Sequence, residues 1–475
     1  MITSLILLPI VAAIACYAFP KDRTQEVKWF GVAVAALTVA GTIAFRGQAD
    51  ESVRWLSRPF DAFYHVAIGS GVSFWMALLL TVVTFSALVA TRAPNQRHFV
   101  AQLLLLEGTM LGLFLARDVL LFALFWDAML LPVFLLLIEV AAAHTAWRYL
   151  IYNLSAGLAL LLATAAYGYV YGSTDVIGRV GLGPVGGTWG VWIFSGFAFA
   201  FLVKTPVWPF HTWMPDTYAD APSPLAAVIS AVQSKGGLYG FLVIALPLFP
   251  DAAHAAVAYL FPLGMIGLIY GALVALVQDD VKRIVAYSSL SHLGLILIAL
   301  FSFNALATAG AVVYMVAHGL FSAAMFLTLG FIEQREETRA LQRLGGLSQR
   351  NPRLSGGLHI AALAMLGLPG LAGFAGELLI VIGLFAAGAL WPAIVALVAI
   401  VLASAYTLRL FQGAMQGPQI DDLPQRPDLT WLEGAALAPL VLSLVMLGVD
   451  PQPIVATTAQ AGFSAAAAAT GGAIK

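Results

Sequence analysis

The hydrophobic positions of this chain form long apolar runs, separated by short polar connections, from Met1 almost to the C-terminus. A helix crosses the hydrocarbon core of a bilayer with about 20 predominantly apolar residues. The pattern therefore predicts an all-α polytopic membrane protein with about fourteen transmembrane helices. The predicted helix cores are Ile2–Phe19, Trp29–Ala44, Phe74–Ala90, Phe99–Leu115, Val119–Ala141, Tyr149–Val170, Trp189–Phe210, Ala221–Leu248, His254–Val277, Ile284–Phe301, Ala305–Ile332, Gly357–Phe385, Leu390–Phe411 and Trp431–Val449.

The composition agrees with a membrane setting and excludes several other classes of protein. Of 475 residues, 61% are hydrophobic and 10% are charged, and the mean hydropathy of +0.91 is far from a soluble globular average. A net charge of −1 provides no basic face for nucleic acid. The single cysteine, Cys16, allows no disulfide framework and no cysteine-ligated cluster or zinc site. The run from Met1 to Phe19 lacks the basic start of a signal peptide, and we interpret it as the first spanning helix.

Basic residues in alternate connections predict the orientation of the helices, because cytoplasmic loops retain Lys and Arg. With fourteen helices, both termini are expected outside and the Arg335–Arg353 connection in the cytoplasm. The predicted cytoplasmic side carries Lys21, Arg23, Lys28, Arg92, Arg97, Arg148, Lys282, Arg283, Arg335, Arg339, Arg343, Arg350, Arg353, Arg409 and Arg426. The other side carries only Arg46, Arg54, Arg58, Arg117, Arg179 and Lys475.

Two of the predicted helices contain breaks. The seventh has two prolines shortly after Lys204, and the twelfth has glycines around Pro369, just before Glu377. Proline and glycine free backbone carbonyls at membrane depth, which is tolerated where the backbone lines a polar cavity or packs on protein. Breaks at corresponding positions of two halves are typical of inverted-repeat transporters, and kinks in a packed bundle are the alternative. The predicted division is residues 1–98 (helices 1–3), 99–250 (helices 4–8, first repeat), 251–412 (helices 9–13, second repeat) and 413–475 (helix 14 and tail).

Six ionisable residues lie inside the predicted helices as an ordered series. A charge at mid-bilayer costs roughly 2.5–3.5 kcal/mol on insertion scales, so such residues usually face a protein interior or a water-filled path. A carboxylate close to a lysine keeps it protonated, and moving the carboxylate away lets the lysine pass its proton on. We therefore hypothesise a charge-gated proton relay without redox chemistry on this chain. Its candidate residues are Asp127, Lys204, Lys235, His292, His318 and Glu377.

Several members of the series also have a structural interpretation. His292 and His318 are alternatively neutral histidines that bridge helices, and Asp127 is alternatively an interfacial residue. The two lysines are harder to explain structurally, because snorkelling to an interface is difficult from the middle of a helix.

Three further carboxylates stand outside the series. Glu139 and Asp216 are interpreted as helix-end or loop charges. For Glu107, in the fourth predicted helix, two interpretations stay open. It is either part of a proton path or the partner of a nearby cation.

The ionisable series is embedded in motifs that resemble one known family. Together these motifs resemble the proton-translocating, antiporter-like membrane subunits of respiratory complex I, and the resemblance extends over essentially the whole chain. The family also contains subunits of Mrp-type sodium/proton antiporters and of membrane-bound hydrogenases. The motifs are Ala200-Phe-Leu-Val-Lys-Thr-Pro-Val-Trp-Pro-Phe-His-Thr-Trp-Met-Pro-Asp216, Ala221-Pro-Ser-Pro224, Lys235-Gly-Gly-Leu-Tyr-Gly240, Asp280-Val-Lys-Arg-Ile-Val-Ala-Tyr-Ser-Ser-Leu-Ser-His292 and Gly376-Glu377.

The resemblance implies a role for each residue of the series. Asp127 and Lys204 would form the gating pair, and Lys235 would be the central relay. His292 and His318 would assist, and Glu377 would be the terminal site toward the outside. The family usually has glutamate where this chain has aspartate in Trp126-Asp127-Ala-Met-Leu-Leu-Pro132, so the reach toward Lys204 is shorter by one methylene.

The resemblance also implies a type of subunit and its partners. Glutamate at position 377 resembles the M-type subunits, because the L-type, N-type and main Mrp subunits generally have lysine there. The chain also ends too soon after helix 14 for the long lateral helix of L-type subunits. An M-type subunit would lie in a bacterial-type inner membrane, in contact with lipid and with L-type and N-type neighbours.

The function implied is proton translocation within a proton-pumping NADH:quinone oxidoreductase. FMN, iron–sulfur clusters and quinone would then belong to partner subunits, and we expect no cofactor and no metal on this chain. The alternatives are a subunit of an Mrp-type sodium/proton antiporter, a membrane-bound hydrogenase, or a structural membrane anchor.

Overall fold

Helices follow the predicted apolar runs along the chain. A computed structural model describes residues 1–69, 71–176, 185–416 and 427–458, and each predicted helix core overlaps a helix in it. The helices are α1 (Ile2–Cys16), α2 (Thr24–Ala44), α3 (Val72–Ala90), α4 (Gln96–Leu115), α5 (Val119–Val140), α6 (Ala143–Tyr171), α7 (Gly187–Lys204), α8 (Ser223–Leu248), α9 (Pro250–Val277), α10 (Val281–Phe301), α11 (Ala305–Glu336), α12a (Pro352–Met365), α12b (Ala372–Ala386), α13 (Leu390–Gln416) and α14 (Trp431–Val449).

The predicted all-α polytopic fold is confirmed, while the number of crossings stays a prediction. Within the described ranges, 12 helices are long and apolar enough to cross a membrane, and α1 and α12b are apolar but shorter. Three basic residues used to predict the orientation, Arg179, Arg426 and Lys475, lie outside the described residues. So does the end of the predicted C-terminal tail, from residue 459 onward.

A β-hairpin that the apolar pattern did not predict joins α2 to α3. Its strands β1 (Glu51–Leu56) and β2 (Ala62–Val66) pair antiparallel. The Glu51 carboxylate accepts hydrogen bonds from the backbone N–H groups of Ile2 and Thr3 and pairs with the Met1 ammonium. Burial alone would raise the pKa of Glu51, but the ammonium and the hydrogen bonds outweigh it and lower that pKa to about 2. The ionised carboxylate therefore caps the positive end of α1 and fastens the hairpin to it.

Helices α5 and α10 begin in the same way. The N-cap aspartate of α5, Asp118, accepts from the N–H of Leu121 at 3.0 Å, and Asp280, the N-cap of α10, accepts from the N–H of Lys282 at 2.9 Å. Each aspartate also forms an antiparallel bridge with the segment that follows the next helix. The bridged pairs are Asp118 with Asp175, after α6, and Asp280 with Ala340, after α11.

The helices separate into an inner and an outer group. Helix α11 is buried from Ala307 to Ile332, and α8 and α10 are buried over nearly all of their lengths. Helices α6, α9, α13 and α14 expose large apolar side chains such as Trp147, Tyr259, Trp391 and Trp431, as helices in contact with lipid do. The ionisable residues of α8, α10 and α11 are therefore shielded from lipid by the outer helices.

A buried ion pair connects the end of α11 to the start of α14. The Arg335 guanidinium lies 2.6 Å from the Glu433 carboxylate, and both side chains are almost fully buried. Arg335 also donates to the carbonyls of Pro427 and Asp428 at 3.0 and 3.2 Å, while Arg92 approaches the same carboxylate to 3.3 Å. The position of α14 thus depends on a carboxylate that two arginines share.

Glu433→Gln should destabilise the protein far more than Glu26→Gln. Removing one partner of a buried ion pair leaves an uncompensated charge and costs about 3–5 kcal/mol. Glu26 pairs with Arg23 at the surface, where both side chains are more than half exposed, and such pairs contribute about 0–1 kcal/mol. Thermal denaturation of the purified assembly measures the difference, and equal shifts for the two variants would contradict the assigned role of Glu433.

Candidate functional site

Helix α7 ends at Lys204, six residues before the predicted end of this helix. Pro206 and Pro209 follow, and they have no N–H with which to continue the helical hydrogen bonds. The chain instead passes through a 3₁₀ turn, Phe210–Trp213, into a short helix, Met214–Asp220. Lys204 therefore lies at the C-terminal end of α7, where carbonyl groups carry partial negative charge.

The Lys204 ammonium has no hydrogen-bonding partner within the described ranges, although its residue is fully buried. Its Nζ lies 4.9 Å from the ring centroid of Trp126 on α5. This distance is in the range of a cation–π interaction. The Trp126 indole is therefore the main group in contact with the Lys204 ammonium.

Asp127, next to Trp126, lies half-buried on α5. The helix is interrupted beside it by a turn at Met129, because Pro132 has no N–H to donate one turn back. Asp127 directly follows Trp126, whose ring contacts the Lys204 ammonium, but no ion pair within 4.0 Å joins Asp127 and Lys204 in the part of the chain that the structure describes. The structure thus brings the predicted gating pair into one region without direct contact.

Lys235 is fully buried on α8, between two π-helical stretches, Ile229–Gln233 and Phe241–Ala245. Its Nζ donates to the Ser230 carbonyl at 2.5 Å and lies 2.6 Å from Nδ1 of His318. The apolar pattern predicted a regular helix here. A π-helix shifts the backbone hydrogen bonds by one residue and is frequent at functional sites, and here a carbonyl becomes available to the lysine.

His318 and His292 lie side by side on α11 and α10, with ring centroids 5.4 Å apart. A charged Lys235 can only donate to Nδ1 of His318, and a neutral His318 then carries its proton on Nε2. Nε2 of His292 lies 3.0 Å from the hydroxyl of Tyr406, on α13. The two histidines therefore connect Lys235 with Tyr406 on α13.

Glu377 is buried on α12b, just after the break between the two halves of the twelfth predicted helix. Its Oε1 accepts a hydrogen bond from the Tyr314 hydroxyl at 2.5 Å, and the Tyr314 ring lies 5.7 Å from the His292 ring. Its carboxyl also lies against Gly367 in the break, where a β-carbon would be 3.3 Å from Cδ. Gly367 has φ +78°, a conformation that favours glycine.

Sequence reasoning missed Tyr314 and Tyr406. Both are fully buried, and tyrosine in an apolar helix is more often a packing residue than a functional one. One signal was available, because Tyr314 lies four residues before His318 and so shares a face of α11 with it. For Tyr406, on another helix, no comparable spacing exists.

The three carboxylates outside the series have separate surroundings. Glu107 is fully buried and lies 2.6 Å from the Thr38 hydroxyl. No cation lies within 4.0 Å of it among the described residues. Glu139 is the last residue but one of α5, and Asp216 pairs at 2.5 Å with two arginines, Arg148 and Arg283.

The geometry divides the candidate site into two parts. The first is the separated pair of Asp127 and Lys204. The second is a buried group of proton-carrying side chains in which three links are hydrogen bonds and the others are ring contacts. Its members are Lys235, His318, His292, Tyr406, Tyr314 and Glu377. Proton transfer between the two parts requires bridging water or side-chain movement. In the described ranges, no group of three or more His, Cys, Asp or Glu side chains could hold a metal.

Tyr314→Phe should lower the thermal stability of the protein and change the environment of the Glu377 carboxyl group. An intramolecular hydrogen bond contributes about 0.5–1.5 kcal/mol net to stability, and the variant removes only the hydroxyl. Tyr259→Phe is the matched control, because Tyr259 is 74% exposed. Thermal denaturation and the infrared carboxyl band, assigned with Glu377→Gln, measure the two effects. An unchanged band would mean that the hydroxyl does not bind the carboxyl.

Comparison with known proteins shows one consistent similarity. The model of the family described as NADH:quinone oxidoreductase/Mrp antiporter, TM, matches residues 116–403. The NADH-quinone oxidoreductase subunit M of Mycobacterium tuberculosis is 33% identical, over 94% of this chain and 90% of the relative. The subunit M of Escherichia coli K12 is 31% identical, over 96% of this chain and 95% of the relative.

Solved structures show the same similarity. A chain of respiratory complex I from Thermus thermophilus with bound NADH has a TM-score of 0.90 and 28% identity, over 98% of this chain and 99% of that chain. A chain of the Mrp complex from Dietzia sp. DQ12-45-1b has a TM-score of 0.86 over 98% of this chain and 97% of that chain. Its identity is 19%, so this similarity concerns the fold alone. The region matched by the family model includes all six residues of the predicted series.

Proposed function

The chain belongs to the NADH:quinone oxidoreductase/Mrp antiporter transmembrane family, and we propose that it is the M-type, proton-translocating subunit of a proton-pumping NADH:quinone oxidoreductase. The buried group of proton-carrying side chains from Lys235 to Glu377 carries the proposal. Relatives over 30% identical across nearly the whole chain are named subunit M of this enzyme. The glutamate at position 377 agrees with that type.

In the proposed mechanism, Asp127 and Lys204 act as a gate. When the carboxylate approaches, Coulomb attraction in a low-dielectric surrounding keeps the lysine charged. When the carboxylate withdraws, Lys204 is left in apolar surroundings beside an indole. It then gives its proton to a water molecule that lies between it and Lys235. The gate thus converts a movement of one carboxylate into a proton transfer.

The remaining steps use the group of buried side chains. Lys235 passes a proton along its 2.6 Å contact to His318, whose Nε2 carries the next exchangeable proton. His292 receives it after a small ring movement, and the tyrosine hydroxyls lead to Glu377. Glu377 then releases the proton on the outer side.

The matching starts of α5 and α10 support two inverted repeats, helices 4–8 (residues 99–250) and 9–13 (residues 251–412). Asp118 and Asp280 each cap a helix and each bridge to the segment after the following helix. Five helices, α5 to α9, lie between the two starts, so the starts lie on opposite sides if every helix crosses once. An inverted relation between the repeats follows from this alternation.

Energy for the transfer would come from partner subunits. A proton moved against the membrane potential costs about 2.3 kcal/mol per 100 mV. FMN, iron–sulfur clusters and quinone would lie in the partners, with L-type and N-type subunits as neighbours. A bacterial-type inner membrane, with both termini outside, is the proposed location. A sodium/proton antiporter subunit or a membrane-bound hydrogenase subunit is the second candidate, because the Mrp complex has the same fold.

Lys204→Ala should abolish NADH-driven proton pumping and leave assembly largely intact, because the gate loses its proton carrier. The control is Lys21→Ala, since Lys21 is exposed and lies outside the series. Quenching of a pH-sensitive dye in inverted membrane vesicles measures pumping, and co-purification of the partner subunits measures assembly. Undiminished pumping in Lys204→Ala would remove this lysine from the mechanism.

Purification of the native assembly through a tag on this chain should yield inhibitor-sensitive NADH:quinone reductase activity. This result is expected because the proposed partners carry the redox centres. Sodium-dependent proton movement without NADH would instead favour the antiporter. Retention of hydrogenase subunits in place of a dehydrogenase would favour a membrane-bound hydrogenase.

A further inference from the structure

The Asp127 carboxyl group occupies a niche formed by a glycine of the neighbouring helix. A β-carbon built on Gly157 of α6 would lie 2.7 Å from Cγ and 3.1 Å from Oδ2 of Asp127, and closer still to Oδ1. Contacts under 3.0 Å are essentially absent between real β-carbons and other atoms. The carboxyl group can therefore keep its present position only while residue 157 is glycine.

The backbone of α6 gives no other reason for glycine at this position. Gly157 lies in the interior of a regular helix of 29 residues, where alanine is the more favourable residue. The three nearest atoms to its built β-carbon all belong to Asp127. Gly367 also lies against a carboxyl group. Its φ of +78°, however, already favours glycine for the backbone conformation.

Electrostatic attraction favours a different position of the Asp127 carboxyl group, closer to the Lys204 ammonium. Its Oδ1 is buried without a hydrogen-bonding partner in the described part of the chain, and the same is true of the Lys204 ammonium. Opposite charges that lack partners in a buried region attract each other strongly. Nevertheless, they remain separate in the structure, with the carboxyl group on the α6 side.

We propose that Gly157 is a positioning residue of the gate. Its missing side chain gives the Asp127 carboxylate a resting place away from Lys204, so the gating pair can open. A β-carbon at this position would drive the carboxylate out of the niche, and attraction would carry it to the ammonium. This inference rests on the proposed function, since it concerns how the gate opens.

Gly157→Ala tests the inference. The carboxylate is the end of a short rotatable side chain, so α6 should fold as before while the Asp127 carboxylate moves to within 4.0 Å of Lys204 Nζ. A closed gate should lower the pumping rate at least about tenfold, since activity scales with the fraction of the competent state. Cryo-electron microscopy of the intact assembly measures the distance, and dye quenching in vesicles measures pumping.

Gly356→Ala is the matched control, because it adds the same methyl group in a helix where nothing lies within 4 Å of the built β-carbon. It should pump like the unaltered protein. Pumping at the normal rate in Gly157→Ala would overturn the inference. Lost pumping with the carboxylate still distant from Lys204 would also overturn it.

Two further variants separate this inference from the proposed function. Normal pumping in both Asp127→Asn and Lys204→Ala would refute the gate itself, whatever Gly157→Ala does. If Gly157→Ala does not assemble, the double variant Asp127→Ala/Gly157→Ala removes the carboxyl group that the methyl group would meet. Restored assembly would support the niche, and continued failure would show that Gly157 acts through other contacts.

Discussion

The burial of two lysine ammonium groups in a low-dielectric interior is the constraint on which the rest of this structure depends. An uncompensated buried charge is costly, so the chain around each lysine departs from regular helix. At Lys235 a π-helical stretch exposes the Ser230 carbonyl, and Nδ1 of His318 lies at hydrogen-bonding distance from the amine. At Lys204 the helix ends, and an indole ring lies beside the charge.

The irregular backbone and the shielding helices are consequences of the same constraint. Backbone groups without helical partners are tolerated at membrane depth only inside protein or beside a polar cavity. The buried ionisable residues lie beside the end of α7, the break between α12a and α12b, and the π-helical stretches of α8. The outer helices expose apolar side chains and separate these irregular segments from lipid.

Under the proposed function, the gaps in the charged series matter because they prevent protons from passing freely. A continuous line of hydrogen bonds would conduct protons in either direction at all times. Here Asp127 and Lys204 are separate, and the rings of His292 and His318 are adjacent, with no hydrogen bond between them in the described part of the chain. Under the proposed function, transfer therefore depends on movements that a partner subunit can drive.

The sequence by itself determined the helical membrane fold, the six ionisable candidates and both broken helices, because long apolar runs, charges within them and proline or glycine interruptions are local signals. Only the tertiary structure decided which side chains meet. The contact of Tyr406 with His292 and the niche of Asp127 at Gly157 join residues that are far apart in the chain or on different helices. Apolar periodicity shows which residues avoid water, but helix packing sets which polar atoms lie within hydrogen-bonding distance, and that depends on all the helices at once.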